Sequence, residues 1–339
     1  MKIRISDFGL GSSLITLTNQ QGVSISFTNL GARIVDWQKD GKRLVLGFDS
    51  AQEYLEKDTY PGATIGRTAG RIKDGVVEIS GEKVQLNQNE GPQTLHGGDS
   101  SIHTKLWQYD ISEKESKAQV KFSYISNDGE NGYPGQLSMT VTHSYDEDNN
   151  WTIDYQATTT KDTVFNPTGH VYFNLTGDAS QTIDQHMLEM AASRFVALKD
   201  KTVLVRGDIV NLEGTDLDFH QPKLLSQALN SAMAQVQLVG GIDHPFLLDE
   251  VTLEKEQARL SLGELSISVR TDRPSIVIFT ANFGELGTVY HGRPQANHGG
   301  ITFECQVSPG SQQMPELGDI TLVAGDTYHA KTVYQLQVN

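Results

Sequence analysis

Cysteine is nearly absent: Cys305 is the single thiol in 339 residues. One thiol excludes an internal disulfide and a thiolate metal cluster, and it fits a reducing compartment. Long apolar runs are also lacking. No segment approaches the ~20 apolar residues that a membrane helix needs, and the opening MKIRISDFGLGSSLITLTN has no apolar stretch of signal-peptide length. These absences lead us to expect a cytoplasmic protein without a membrane partner. Positive charge is scarce too, with 27 basic against 42 acidic residues and a net charge of -15. Such a balance repels phosphate backbones and anionic lipid, so nucleic acid is not an expected partner. The ten histidines, among them His103, His143 and His329, show no HExxH spacing, and no metal is expected. GLGSS at residues 9 to 13 lacks the full dinucleotide fingerprint, and no GxSxG elbow occurs.

Alternation fills the chain instead. Val23, Ile25 and Phe27, then Val120, Phe122 and Tyr124, then Leu137, Met139, Val141 and Tyr145, then Trp151, Ile153 and Tyr155 step by two, the period of a strand with one buried face. Turn clusters such as KDGK, SNDGENGYPG, DEDNN and ELGD separate them, and the 32 glycines suit tight or functional loops. Helical spacing is rare. Leu224, Leu225, Ala228, Leu229, Ala232 and Met233 predict one short amphipathic helix, and SAQEYLEK predicts a weaker one. No repeat or linker interrupts residues 1–339, which predicts an all-β fold, a large antiparallel β-sandwich with a few short helices in one domain.

Two strands carry polar residues that ask for a reason. In NPTGHVYFNL, His170, Tyr172 and Asn174 share one face while Val171, Phe173 and Leu175 share the other. The polar face is either a solvated sheet surface or the wall of a ligand cavity. In HGGITFECQVSPG, Ile301, Phe303, Cys305 and Val307 alternate with Thr302, Glu304 and Gln306. Glutamate is a poor strand former, so Glu304 marks an outer face or a site. Cys305 falls on the apolar face and reads as a packed core thiol.

Three loops offer further candidates, each with a plainer alternative. His96 in QTLHGG precedes two glycines that permit close approach, or it is an ordinary turn histidine. Arg71 in GRTAGRI, four residues after Arg67, presents a planar fork of donors to vicinal hydroxyls or a carboxylate, or it makes a surface ion pair. Asp243 in GIDHPF stands just before the His244–Pro245 pair, where proline forces an extended backbone, and serves as a turn cap or a ligand.

Taken in order, NLGARIVDWQKDGKRLVLGFDSAQEY, GRTAGRI, QTLHGG, NGYPG, NPTGHVYFNL, GIDHPF and FECQVSPG resemble the galactose mutarotase (aldose 1-epimerase) family across nearly the whole chain. The resemblance implies a single-domain supersandwich without cofactor that interconverts the α and β anomers of free galactose and glucose, as a monomer or homodimer. It places the family's general acid on His170, its general base on Glu304 and its sugar-positioning groups on Arg71, His96 and Asp243, with Phe279 packing near the sugar. Two positions depart from the pattern. Gly70 stands where asparagine is common, so one amide contact to the sugar is absent or supplied elsewhere, and Cys305 stands where threonine is common.

These residue types suit the reaction. Mutarotation takes the proton from O1, protonates the ring oxygen O5, lets C1 turn about the C1–C2 bond and closes the ring again. A carboxylate is a natural acceptor, and an imidazolium, with a reference pKa of about 6.5, is a natural donor. Three rival expectations use the same residues. A retaining glycosidase would pair Asp243 with Glu304 at about 5 Å. A hexose 6-phosphate mutarotase would grip phosphate with Arg67 or Arg293. A non-catalytic sugar-binding module would keep only the pocket.

Overall fold

The computed structural model describes residues 1–284 and 287–338. Its first sheet has five antiparallel strands in chain order, Lys2–Gly9, Ser12–Thr18, Ser24–Thr28, Arg33–Lys39 and Lys42–Arg43. A second, nine-stranded sheet runs Gln108–Lys114, Lys117–Ser126, Leu137–Asp146, Asn150–Thr159, Thr327–Val338, Leu265–Thr271, Ala258–Leu262, Met187–Met190 and Lys223–Leu224, every neighbouring pair antiparallel. The period-two residues of both sheets turn inward as their spacing predicts. Ile25, Phe27, Val141, Tyr145, Trp151 and Ile153 join one core cluster. Each such side chain removed from water contributes about 1.5–3 kcal/mol. Trp37 meets Trp151 edge-on at 5.8 Å, and Trp151 stacks on Tyr334 at 4.9 Å, which ties the first sheet to the second. The architecture is the expected all-β sandwich, and Cys305 is a free thiol inside its core. Among the described residues, no helix is long and apolar enough to cross a membrane.

A third sheet positions the site. Its order is Val205–Asn211, Arg194–Leu198, Asp243–Leu247, Ser275–Phe279 and Glu304–Gln306. Asp243 lies opposite Phe279, Val277 lies between Pro245 and Glu304, and Ser275 lies opposite Gln306. Directly opposed residues share a face. Asp243 and Phe279, then Glu304, then Gln306 therefore form successive rows of one surface.

Three local expectations need correction. The helix expected over residues 224 to 233 covers only Leu225–Leu229, a separate helix, Ala234–Val239, begins beyond that span, and Leu224 pairs with Met187 at a sheet edge. Asn230 donates from its amide to the Ser226 carbonyl, and Ser231 Oγ accepts from Met233 N–H. Polar side chains that bond the backbone locally compete with helix propagation, which the apolar spacing conceals. The SAQEYLEK helix is present as Ala51–Glu56, with Ser50 capping Glu53 N–H. NPTGHVYFNL is not one strand. Thr168–Gly169 pairs with Thr64–Ile65, Tyr172–Phe173 pairs with Ile301–Thr302, and His170 sits between the two short ladders. Ile301–Thr302 and Glu304–Gln306 are likewise separate strands, broken at Phe303.

Candidate active site

His170 is held by its backbone. Its N–H donates to the Ala63 carbonyl at 2.9 Å, and its carbonyl accepts from Gly62 N–H at 2.7 Å. Gly62 has φ +70, and a Cβ there would lie 2.0 Å from the Ile34 carbonyl oxygen, so this crossing requires glycine. The imidazole is enclosed by Tyr60, His96 and Tyr172, with ring centroids 5.9, 5.1 and 5.1 Å away.

Glu304 reaches the same space from the third sheet. Its Oε1 lies 3.4 Å from His170 Nε2 and accepts from Thr302 Oγ1 at 3.3 Å. Thr302 Oγ1 in turn accepts from Phe279 N–H at 3.0 Å, so the carboxyl ends a short chain of bonds anchored in a strand. Both side chains are almost wholly buried, 3% and 4% exposed as residues. Burial pushes Glu304 up to about 8 and His170 down to about 4, with Arg71 opposing the first shift and Asp58 the second. Near neutrality the pair thus holds a single proton between them. A proton shift across the 3.4 Å contact yields carboxylate and imidazolium with no change in total charge.

Around this pair stands a cavity of about 210 Å³. His96 enters it from a left-handed backbone, φ +51. Its N–H donates to the Gly70 carbonyl, and its Nδ1 accepts from Gly70 N–H at 3.2 Å. A ring whose Nδ1 accepts while burial holds it neutral carries its proton on Nε2, so His96 is a hydrogen-bond donor. Arg71 forks onto Glu90, Nε to Oε2 at 2.6 Å and Nη2 to Oε1 at 2.8 Å. Asp243 lines the cavity from its strand, and burial raises it to about 7, with Arg71 opposing the rise and Glu304 adding to it. It is no turn cap. Phe279 packs on Tyr172 at 6.1 Å and on Phe283 at 5.0 Å.

Could the cluster hold a metal? His96, His170 and Glu304 each offer an atom within 4.8 Å of the others. With its Nδ1 occupied by Gly70, however, His96 has no free lone pair at Nε2 to give. The geometry suits donation to an oxygen rather than ligation of a cation.

The sequence model of the aldose 1-epimerase family matches residues 13–335. The chain belongs to this family. It is therefore a carbohydrate-directed isomerase of β-sandwich fold. Galactose mutarotase of Sus scrofa is 32% identical over 325 residues, 93% of this chain and 90% of that protein. Aldose 1-epimerase of Escherichia coli K12 is 32% identical over 333 residues, 95% and 94% of the two chains. Among solved structures, galactose 1-epimerase of Lactobacillus acidophilus NCFM superimposes with a TM-score of 0.91 at 28% identity, covering 100% of this chain and 99% of that one.

In this aldose 1-epimerase family member, all six residues singled out from sequence, Arg71, His96, His170, Asp243, Phe279 and Glu304, line the one cavity. Arg71 makes the ion pair that is its plainer alternative, with Glu90, and both partners are part of the wall. Arg67 and Arg293 do not line it. Arg67 is enclosed elsewhere, and Arg293 is exposed with Asp178 at 3.9 Å. Asn174, on the polar side of His170, bonds the Asp178, Gln181 and Gly299 carbonyls and is structural. Sequence reasoning passed over Tyr60 and Glu90. Tyr60 in DTYPG carries a signal, an aromatic set before a proline–glycine turn, whereas Glu90 lies in a polar loop with none.

Proposed function

We propose that this protein interconverts the α and β anomers of free hexoses, galactose and glucose, by acid–base ring opening and closure. Glu304, as carboxylate, takes the proton from O1. His170, as imidazolium, gives its proton to O5 as the C1–O5 bond breaks. The open aldehyde turns about C1–C2, and the same two proton transfers run backward on the other face. Arg71, His96 and Asp243 hold the remaining hydroxyls so that the open chain stays oriented. Phe279 and Tyr172 pack against the C–H surface of the sugar. No energy source is needed, because the pair ends each cycle as it began.

The observation that carries this reading is the 3.4 Å contact between His170 Nε2 and Glu304 Oε1 inside one cavity. O1 and O5 are borne by the same carbon, so an acid and a base serving them must open onto one small cavity. Positioned groups of this kind contribute roughly 10² to 10⁴-fold each. A glycosidase would pair Asp243 with Glu304; Asp243 lines the same cavity, but the group in contact with Glu304 is the His170 imidazole. A hexose 6-phosphate substrate loses support, since Arg67 and Arg293 stand outside the cavity. We treat residues 1–339 as one catalytic unit, because the lining runs from Tyr60 to Pro309 and the main core joins Ile15 to Leu336.

The test is polarimetry on freshly dissolved α-galactose and α-glucose, beside nitrophenol release from an aryl galactoside. Accelerated decay of rotation without nitrophenol is expected. Nitrophenol release, or sugar binding with the spontaneous decay rate, would overturn the reading.

A further inference from the structure

Gln306 is fully buried, and neither its Oε1 nor its Nε2 has a hydrogen-bond partner in the protein. Among the described residues it is the one side chain with two buried polar atoms left so. Buried amides are ordinarily satisfied, because an unpaired donor or acceptor retains its full desolvation cost. The backbone here is not slack. The Gln306 carbonyl accepts from Ser275 Oγ at 2.7 Å within a strand pair, so the side chain is presented rather than misplaced.

What it is presented to follows from the strand. Gln306 stands two residues from Glu304, on the same face, and lines the same cavity. In the rows of the third sheet, Asp243 lies on one side of Glu304 and Gln306 on the other. The same cavity has apolar lining as well, from Leu198, Val203, Val205 and Pro309. Gly70 cannot add a side chain here: it has φ +74, and a Cβ would meet Pro309 Cγ at 2.5 Å. An amide needs partners that donate and accept, and a sugar hydroxyl does both.

We infer that Gln306 is a substrate-anchoring and specificity residue, bonding one hydroxyl of the hexose on the side of Glu304 opposite Asp243. The inference rests on the proposed function for the identity of the ligand as a hexose.

Calorimetric binding of galactose and its 2-, 3-, 4- and 6-deoxy analogues to wild type and Gln306→Leu, with thermal unfolding alongside, tests it. The variant should unfold no earlier than wild type, since it loses only unpaired groups, and should bind galactose roughly tenfold or more weakly. One analogue should bind both proteins equally, which names the hydroxyl. No loss with galactose, or an equal loss across the whole series, would overturn the inference. If the leucine variant does not fold, Gln306→Met answers the same question by the same criteria. Sugar binding that depends on Gln306 in a protein that does not speed anomer exchange would sink the proposed function alone. Absence of sugar binding by wild type would sink both.

Discussion

Arg67 and Arg71 come from one seven-residue segment, GRTAGRI, and end in opposite circumstances. Arg67 is 1% exposed and spends its donors on the Ser126, Asn127 and Pro134 carbonyls and the Ser126 hydroxyl, with Tyr133 beneath the guanidinium. Burial lowers it to about 10, yet it is saturated with partners. Arg71 gives two donors to a single carboxylate, Glu90, in the cavity wall. One arginine staples loops together. The other is held by one carboxylate in the cavity wall. In the cavity, by contrast with Arg67, both amide atoms of Gln306 and Nδ1 of His170 have no partner in the protein.

The comparison can be broken by exchange of effects. Arg67→Met should leave buried carbonyls short of donors and cost about 2–4 kcal/mol in urea unfolding, with sugar affinity per folded molecule unchanged. Arg71→Met should do the reverse, raising KM about 10-fold or more while unfolding shifts by under about 1 kcal/mol. Glu90→Gln, which keeps the shape but removes the charge that orients Arg71, should raise KM about threefold and leave kcat nearly intact. If Arg67→Met unfolds no more easily than Arg71→Met, the division into staple and site is wrong.

Acidity sharpens the contrast further. With Glu304 pushed up to about 8 and His170 down to about 4, the pair holds one proton between those values. Above the upper one the acid is lost, and below the lower one the base is lost. The profile of kcat/KM should therefore be a broad bell with limbs near those values. Stability carries a smaller signature. The folded value of Glu304 exceeds its ordinary 4.5, so its contribution is fully present below that pH and is lost as pH rises through about 8. Glu304→Gln should accordingly gain unfolding temperature over wild type as pH goes from 5 to 9, by a few degrees at most. A constant difference across that range would show that Glu304 is not held above its ordinary value.

Much of the sandwich was legible because its strands have one covered face. Val141 and Trp151 alternate with polar neighbours in long ladders. The site sheet is different. In Ser275–Phe279 both faces are covered, so every residue is apolar or small and periodicity says nothing of which side faces the cavity. His170, Arg71 and His96 come from segments with ladders of two residues or none, placed by backbone crossings such as Gly62 against Ile34 that leave no pattern in the sequence. Glu304 showed itself as a charge inside an apolar alternation, and the order of motifs supplied the rest. The pairing of Glu90 with Arg71 and the enclosure of Arg67 depend on which distant loops close over them, and spacing alone cannot tell the two arginines apart.

His170 and Glu304 are proposed to work as one proton relay. Polarimetric anomerisation rates for His170→Asn, Glu304→Gln and the double variant, at matched sugar saturation, test it most directly. The relay predicts that each single change lowers kcat by at least about 10²-fold and that the double change costs little more than either. Near-wild-type rates in either single variant, or losses that multiply in the double, would contradict it.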